Sequence, residues 1–183
     1  MTQKSFFALI GALALSAGTI FWLLSRPAGI GAEAPATPAI AAAAFYSTSF
    51  TDADGRPQAL GQFQGRLLVL NFWATWCGPC REEMPAFTRV HARWKDRGVQ
   101  FLGVCAEESA KVNQFGRDLG VSYPLWTGGD QVNELSRRLG NRLGVLPHTV
   151  IVAPGGEILE TRVGPYTEAE LEQRLTAYAV KSS

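Results

Sequence analysis

Behind Arg66 the chain runs Leu67-Leu68-Val69-Leu70-Asn71-Phe72-Trp73, and seven residues after Trp73 it has passed Cys77-Gly78-Pro79-Cys80 into a helical repeat. The apolar stretch has the length of a strand, and its lack of alternation is the pattern of a strand covered on both faces. Met84, Phe87, Val90 or His91, and Trp94 then recur at helical spacing, with Gly78 and Pro79 at the corner. Pro79 suits a first helical turn, where its missing N–H would have no partner anyway. A buried strand, a tight corner and a helix leave little freedom: the two thiols must sit where the helix begins.

That placement has chemical consequences. Cys77 and Cys80 have two residues between them, so a disulfide joining them closes a small ring and can form or break without large backbone movement. Unpaired N–H groups and the helix dipole favour a thiolate at a helix start, and the thiolate is the nucleophile. A CxxC between strand and helix in a βαβ-like pattern reads as a redox motif. Two other readings of the pair exist. A zinc site needs a second Cys or His pair at ligand spacing, and the remaining candidates, Cys105, His91 and His148, do not pair with one another. A structural disulfide would add little, because so short a ring barely constrains the unfolded chain.

The rest of the folded region alternates. Phe45–Phe50 and Gln58–Leu60 flank the turn residues Asp52-Ala53-Asp54-Gly55-Arg56-Pro57, which predicts a hairpin. The helix that starts at Gly78 is expected to reach about Arg97, ended by Gly98, and to kink at Pro85, whose ring removes the N–H that would bond the Arg81 carbonyl. Val99–Cys105 reads as a second buried strand. Val112, Phe115 and Leu119 mark one helix face, and Val132, Leu135 and Leu139 another. His148–Ala153 and Glu157–Val163 flank Pro154-Gly155-Gly156, a second hairpin, and Leu171, Leu175 and Tyr178 mark a last helix. The sum is an α/β domain: a mixed central sheet with helices on both faces and an N-terminal β-hairpin extension.

At 183 residues there is room for one well-packed domain and something more. The net charge of +1, without a basic cluster, does not suggest nucleic acid. Residues 6–24 hold no charge and as a helix would span roughly 28 Å, close to the hydrocarbon thickness of a bilayer. Lys4 precedes the stretch and Trp22 lies near its far end, where an interfacial aromatic would sit. A cleaved signal peptide is the competing reading, with Ala32-Glu33-Ala34 as its processing site. The run is longer than the usual signal core of ~7–15 residues, which favours a retained anchor over residues 1–26. Residues 27–44 are mostly Ala and Pro with little charge and read as a tether. The domain then occupies residues 45–183.

The run Asn71-Phe72-Trp73-Ala74-Thr75-Trp76-Cys77-Gly78-Pro79-Cys80-Arg81-Glu82-Glu83-Met84-Pro85 resembles the active-site signature of the thioredoxin superfamily. More narrowly it resembles the membrane-anchored TlpA/ResA-like thiol-disulfide oxidoreductases, and the likeness extends from about Phe50 to about Tyr178. The resemblance implies a thioredoxin-like fold and protein-disulfide chemistry, with Cys77 as nucleophile and Cys80 as the more buried resolving thiol. It implies a functional role for Glu83, three residues after Cys80 and on the same helix face, where a carboxyl would raise the thiol's pKa and carry its proton. Asn71 stands where ordinary thioredoxins hold a buried aspartate. Without the resemblance, Glu83 would read as a solvated helix glutamate. It further implies that Pro147 is a cis-proline beside the CxxC, with the Leu146 backbone free to pair with an extended substrate. His148 stands where a threonine is frequent, and by itself reads as a strand-end histidine. Trp76 would form an apolar apron for docking and Trp73 would lie in the core. Cys105 reads as a small buried hydrophobe, or else as a reactive third thiol.

Gly78-Pro79 matches the reducing members, near −270 mV against about −120 mV for the strongly oxidising ones. The expected function is therefore a periplasmic reductase held at the bacterial inner membrane through residues 6–24. Its expected partners are disulfide-bearing proteins, such as apocytochrome c or copper-site assembly proteins, and a transmembrane electron donor. No cofactor, metal or nucleic acid is expected. The rival readings are a general disulfide oxidase and a Cu(I)-handling metallochaperone, since soft thiolates suit that ion.

Overall fold

The computed structural model describes residues 42–181. The expected anchor over residues 1–26 and most of the expected tether lie outside them. Among the described residues, no helix is long and apolar enough to cross a membrane.

The chain forms α1 (Ala42–Tyr46), β1 (Ser49–Thr51), β2 (Pro57–Ala59), a 3₁₀ turn (Leu60–Phe63), β3 (Leu67–Trp73), α2 (Gly78–Trp94), β4 (Val99–Cys105), α3 (Ser109–Asp118), β5 (Leu125–Thr127), α4 (Asp130–Arg138), β6 (His148–Val152), β7 (Ile158–Val163) and α5 (Glu168–Lys181). The seven strands make one sheet in the order β2-β1-β5-β4-β3-β6-β7. β3 pairs in parallel with β4 and antiparallel with β6, β4 pairs in parallel with β5, and the two hairpins close the edges antiparallel. This is the thioredoxin-like arrangement, a mixed sheet with an added N-terminal hairpin.

All seven residues of β3 are buried, and their two-residue period explains why they are nearly all apolar. Leu68, Leu70 and Phe72 join Leu102, Val104, Val150 and Val152 in a core on one face, covered by α1, the 3₁₀ turn and α4. Leu67 and Val69 join Val99, Phe101 and Ile151 on the other, covered by α2 and α5 through Phe87, Val90, Trp94, Leu171 and Leu175. A third cluster, under α3, gathers Trp73, Cys77, Cys80, Met84, Cys105 and Val112 at the end of the sheet where β3 and β4 finish.

Two expectations are corrected here. Phe45 and Tyr46 are helical, and the N-terminal hairpin pairs only Ser49–Thr51 with Pro57–Ala59. Both aromatics are buried side by side, which a strand with one solvent face does not allow and a helical turn does. The preceding Ala42–Ala44, the end of the stretch read as a tether, belong to the same helix. The long helix stops at Trp94. Lys95–Arg97 tighten into a 3₁₀ turn, and Gly98 at φ +78° reverses the chain into β4, a conformation that favours glycine. β5 is three residues long, lies between β1 and β4, and carries no periodic signal.

Candidate active site

Cys77 is the N-cap residue of α2, with extended backbone (φ −82°, ψ 108°), and its sulfur accepts the Cys80 N–H at 3.3 Å. A sulfur is thus the capping atom of a helix with no acidic residue in its first turn, so the N-terminal partial charge acts on it undiluted. The two sulfurs are joined, with 5.3 Å between the Cα atoms. Cys80 is sealed, whereas Cys77 keeps 5 % of its surface, next to exposed Gly78 and Pro79. Trp76 stands out into solvent at 72 % exposure, and Trp73 is buried beneath the site.

The loop before the pair is held by a residue the sequence did not single out. Glu107, just past β4, accepts the Thr75 N–H at 2.6 Å and the Thr75 hydroxyl at 2.8 Å, and pairs with Lys111. Burial alone would raise its pKa, but the Lys111 ammonium and the two Thr75 donors pull it down to about 2. The Cys105 thiol, fully buried, donates to the same carboxylate at 3.5 Å, and burial pushes that thiol up to about 12. Burial thus favours the thiol over the nucleophilic thiolate at Cys105.

Glu83 is not on the solvated surface of α2. It is 3 % exposed, with Oε1 accepting the Asn71 amide N–H at 2.8 Å and Oε2 accepting the Tyr166 backbone N–H at 3.0 Å. Asn71 is itself fixed by a second donation, to the Thr149 hydroxyl at 3.0 Å. Burial raises the Glu83 pKa to about 7, although those two donors and Arg162 work the other way. Glu82, its neighbour in sequence, is exposed. A cleft of about 480 Å³, lined in part by Arg162, Tyr166 and Glu170, borders Glu83.

The Leu146-Pro147 peptide bond is cis, and Leu146 packs against the cluster that contains both cysteines. Pro147 is buried, and its carbonyl accepts the Gly164 N–H at 2.8 Å. Among the described residues, neither the N–H nor the carbonyl of Leu146 has a hydrogen-bond partner. A cleft of about 340 Å³ opens beside it, walled by Ala74, Trp76, Glu107, Ser136 and Arg137. His148 is not an idle strand-end residue: it is completely buried, stacks on Phe72 at 5.1 Å and bonds to Ser136 and Thr161. Of the other ligands a zinc site would have needed, His91 bonds Ser122, and Cys105 lies in the same buried cluster as the pair with its thiol bonded to Glu107.

A dithiol opening a helix, on a thioredoxin-like sheet and beside a cis-proline, defines a thiol-disulfide oxidoreductase. The chain belongs to the Redoxin family, whose model matches residues 31–175, and within it to the ResA/TlpA-like proteins. The thiol-disulfide oxidoreductase ResA of Geobacillus kaustophilus is 27% identical over 176 residues, covering 96% of this chain and 92% of that protein. The ResA of Bacillus anthracis is 30% identical over 123 residues, covering 67% of this chain and 69% of its own length. A thiol:disulfide interchange protein of the thioredoxin family from Chlorobium tepidum superimposes with a TM-score of 0.65 at 26% identity, over 73% of this chain and 93% of that one. A secreted Mycobacterium tuberculosis disulfide oxidoreductase shares the fold, with a TM-score of 0.61 at 22% identity, over 72% and 96% of the two chains.

Proposed function

We propose that the protein reduces disulfides in partner proteins outside the cytoplasm, held at the membrane by residues 6–24 on a tether that begins at residue 27 and ends before the helix at Ala42. The observation that carries this reading is the asymmetry of the pair: Cys77 caps the helix and is the one with surface, while Cys80 is sealed behind it. In the reduced protein the Cys77 thiolate attacks a partner disulfide, forming one S–S bond as it breaks another, and the first partner sulfur leaves as a thiolate and is protonated. Cys80 then gives its proton to the Glu83 carboxylate, one helical turn away, and attacks the Cys77 sulfur. The second partner thiolate departs, and two electrons have moved from the dithiol to the partner.

A carboxyl with a pKa of about 7 is present in both protonation states at neutral pH, which suits it to take that proton and to release it through the cleft at Arg162 and Glu170. The unpartnered Leu146 backbone accepts an extended partner segment by strand pairing, with Pro147 and the Trp76 apron beside it. Gly78-Pro79 favours the reducing direction. A reductant in an oxidising compartment needs electrons from across the membrane, so a membrane dithiol donor is the second partner. The protein substrates are disulfide-bearing chains of the cytochrome c maturation or copper-site assembly type.

Cys77→Ser will abolish insulin-disulfide reduction, and Cys80→Ser will retain partners as mixed disulfides visible on non-reducing gels. Wild-type turnover by Cys77→Ser would remove the nucleophile assignment. An equilibrium potential as high as that of the strong oxidases would reverse the direction.

A further inference from the structure

In the loop that carries Leu146, backbone bonds hold only the turn, from the Arg142 N–H to the Gly140 carbonyl at 3.0 Å and from the Gly144 N–H to the Asn141 carbonyl at 3.2 Å. Arg142, Leu143, Gly144 and Val145 are all exposed, Leu143 to 89 % and Val145 to 46 %, so burial of their side chains does not fix the backbone. What fixes its Val145 end lies underneath. Asn141, 2 % exposed, reaches across the loop: its Nδ2 donates to the Val145 carbonyl at 2.8 Å and its Oδ1 accepts the Val145 N–H at 3.0 Å. Both backbone groups of the residue before Leu146 are thereby clamped by one side chain.

The clamp is itself anchored. The second hydrogen of Asn141 Nδ2 goes to the Ser136 hydroxyl at 3.0 Å, Ser136 meets His148 Nδ1 at 2.9 Å, and His148 Nε2 meets the Thr161 hydroxyl at 2.8 Å. Thr161 spends its own hydrogen on the Leu139 carbonyl at 2.9 Å. That last bond sets the direction of every other. Thr161 Oγ1 can only accept from the imidazole, so His148 carries its proton on Nε2 and Nδ1 accepts from Ser136. Burial, which lowers the His148 pKa to about 4, keeps the ring neutral and this order intact. The result is a one-way chain of donors from Asn141 on the loop to β7, buried through Ser136 and His148 and half-buried at its last link to Thr161.

We propose that Asn141, anchored through Ser136 and His148, is the positioning residue of the substrate-pairing loop: it holds the Leu146 N–H and carbonyl ready for an extended partner chain and so sets the affinity for protein disulfides without acting on the dithiol. The inference rests on the reading that Leu146 pairs with substrate. Pre-organisation of this kind acts on association with a chain that needs the loop, and a small disulfide that meets only Cys77 does not need it.

The test uses the full-length protein, with insulin as the protein disulfide and DTNB as the small one. Asn141→Ala is expected to raise the KM for insulin roughly tenfold with kcat little changed, and to leave the DTNB rate within about twofold. Ser136→Ala, which keeps both bonds to Val145 and removes only their anchor, is expected to raise the same KM about threefold and serves if Asn141→Ala does not fold. A KM for insulin within twofold of wild type, or a DTNB rate that falls in parallel, overturns the proposal. Hydrogen exchange at the Leu146 amide, in a Cys80→Ser adduct with a cysteine peptide, separates the two possible failures. Protection in wild-type background with an unmoved KM in Asn141→Ala defeats this inference alone, whereas an unprotected Leu146 defeats the strand-pairing reading with it.

Discussion

Glu83 is the residue whose environment most alters its chemistry. Its folded pKa, about 7, lies above the ordinary 4.5, so the folded protein holds a proton there that the unfolded chain has released. A raised carboxylate contributes stability that is fully present below the ordinary value and is lost as pH rises through the folded one. Oxidised wild type is therefore expected to lose on the order of 3 kcal/mol relative to Glu83→Gln as pH rises from about 4.5 to about 8. Urea unfolding of the two proteins across that range checks it; parallel curves would mean the carboxyl is not held neutral. Glu83 and Asn71 also mark the limit of residue-level reading. The helical spacing placed Glu83 on the face of Cys80, but burial depended on Tyr166, 83 residues away, whose N–H meets the carboxylate. Glu107 and Asn141 carried no signal, because a polar side chain that clamps a backbone looks in sequence like any other.

At the scale of elements, long buried segments were legible and short bridging ones were not. β3, β4 and α2 have seven, seven and seventeen residues, enough for a periodic pattern to state itself. β5 has three and exists because β4 and β1 offer it partners on both sides, and α1 exists because two adjacent aromatics both find core. Close packing between elements gives a prediction of its own. A Cβ on Gly103 of β4 would lie 2.6 Å from Leu125 Cδ2 on β5 and 3.0 Å from the Trp73 indole nitrogen on β3. Gly103→Ala is expected to cost about 1–3 kcal/mol, read from the urea midpoint, and an unchanged midpoint would mean β5 yields freely. Between α2 and α5, the Trp94 indole N–H donates to Glu172 at 2.7 Å while Trp94 is 1 % exposed. Glu172→Ala leaves that donor buried and alone, and is expected to cost about 1–3 kcal/mol, with little dependence on salt. A loss that vanished in high salt would assign the effect instead to the surface pair of Glu172 with Arg93.

For the whole molecule, the proposed anchoring and export carry the prediction. A domain exported on an N-terminal anchor should sediment with membranes, and in spheroplasts its reduced Cys77 should react with a maleimide that cannot cross the bilayer. Labelling seen only after lysis would put the domain on the cytoplasmic side. The sequence by itself determined the class of chemistry and the central frame: a CxxC between an apolar run and a helical repeat can hardly be placed anywhere but at a helix start beside a buried strand, since periodicity and chain length are local properties. Tertiary structure alone decided which polar side chains are buried, which carbonyls and amides they clamp, and which backbone stays open beside the sulfurs. Those are set by neighbours tens of residues away in sequence, and desolvation, the effect that moves Glu83 and His148 furthest from their ordinary behaviour, is a property of the packed whole.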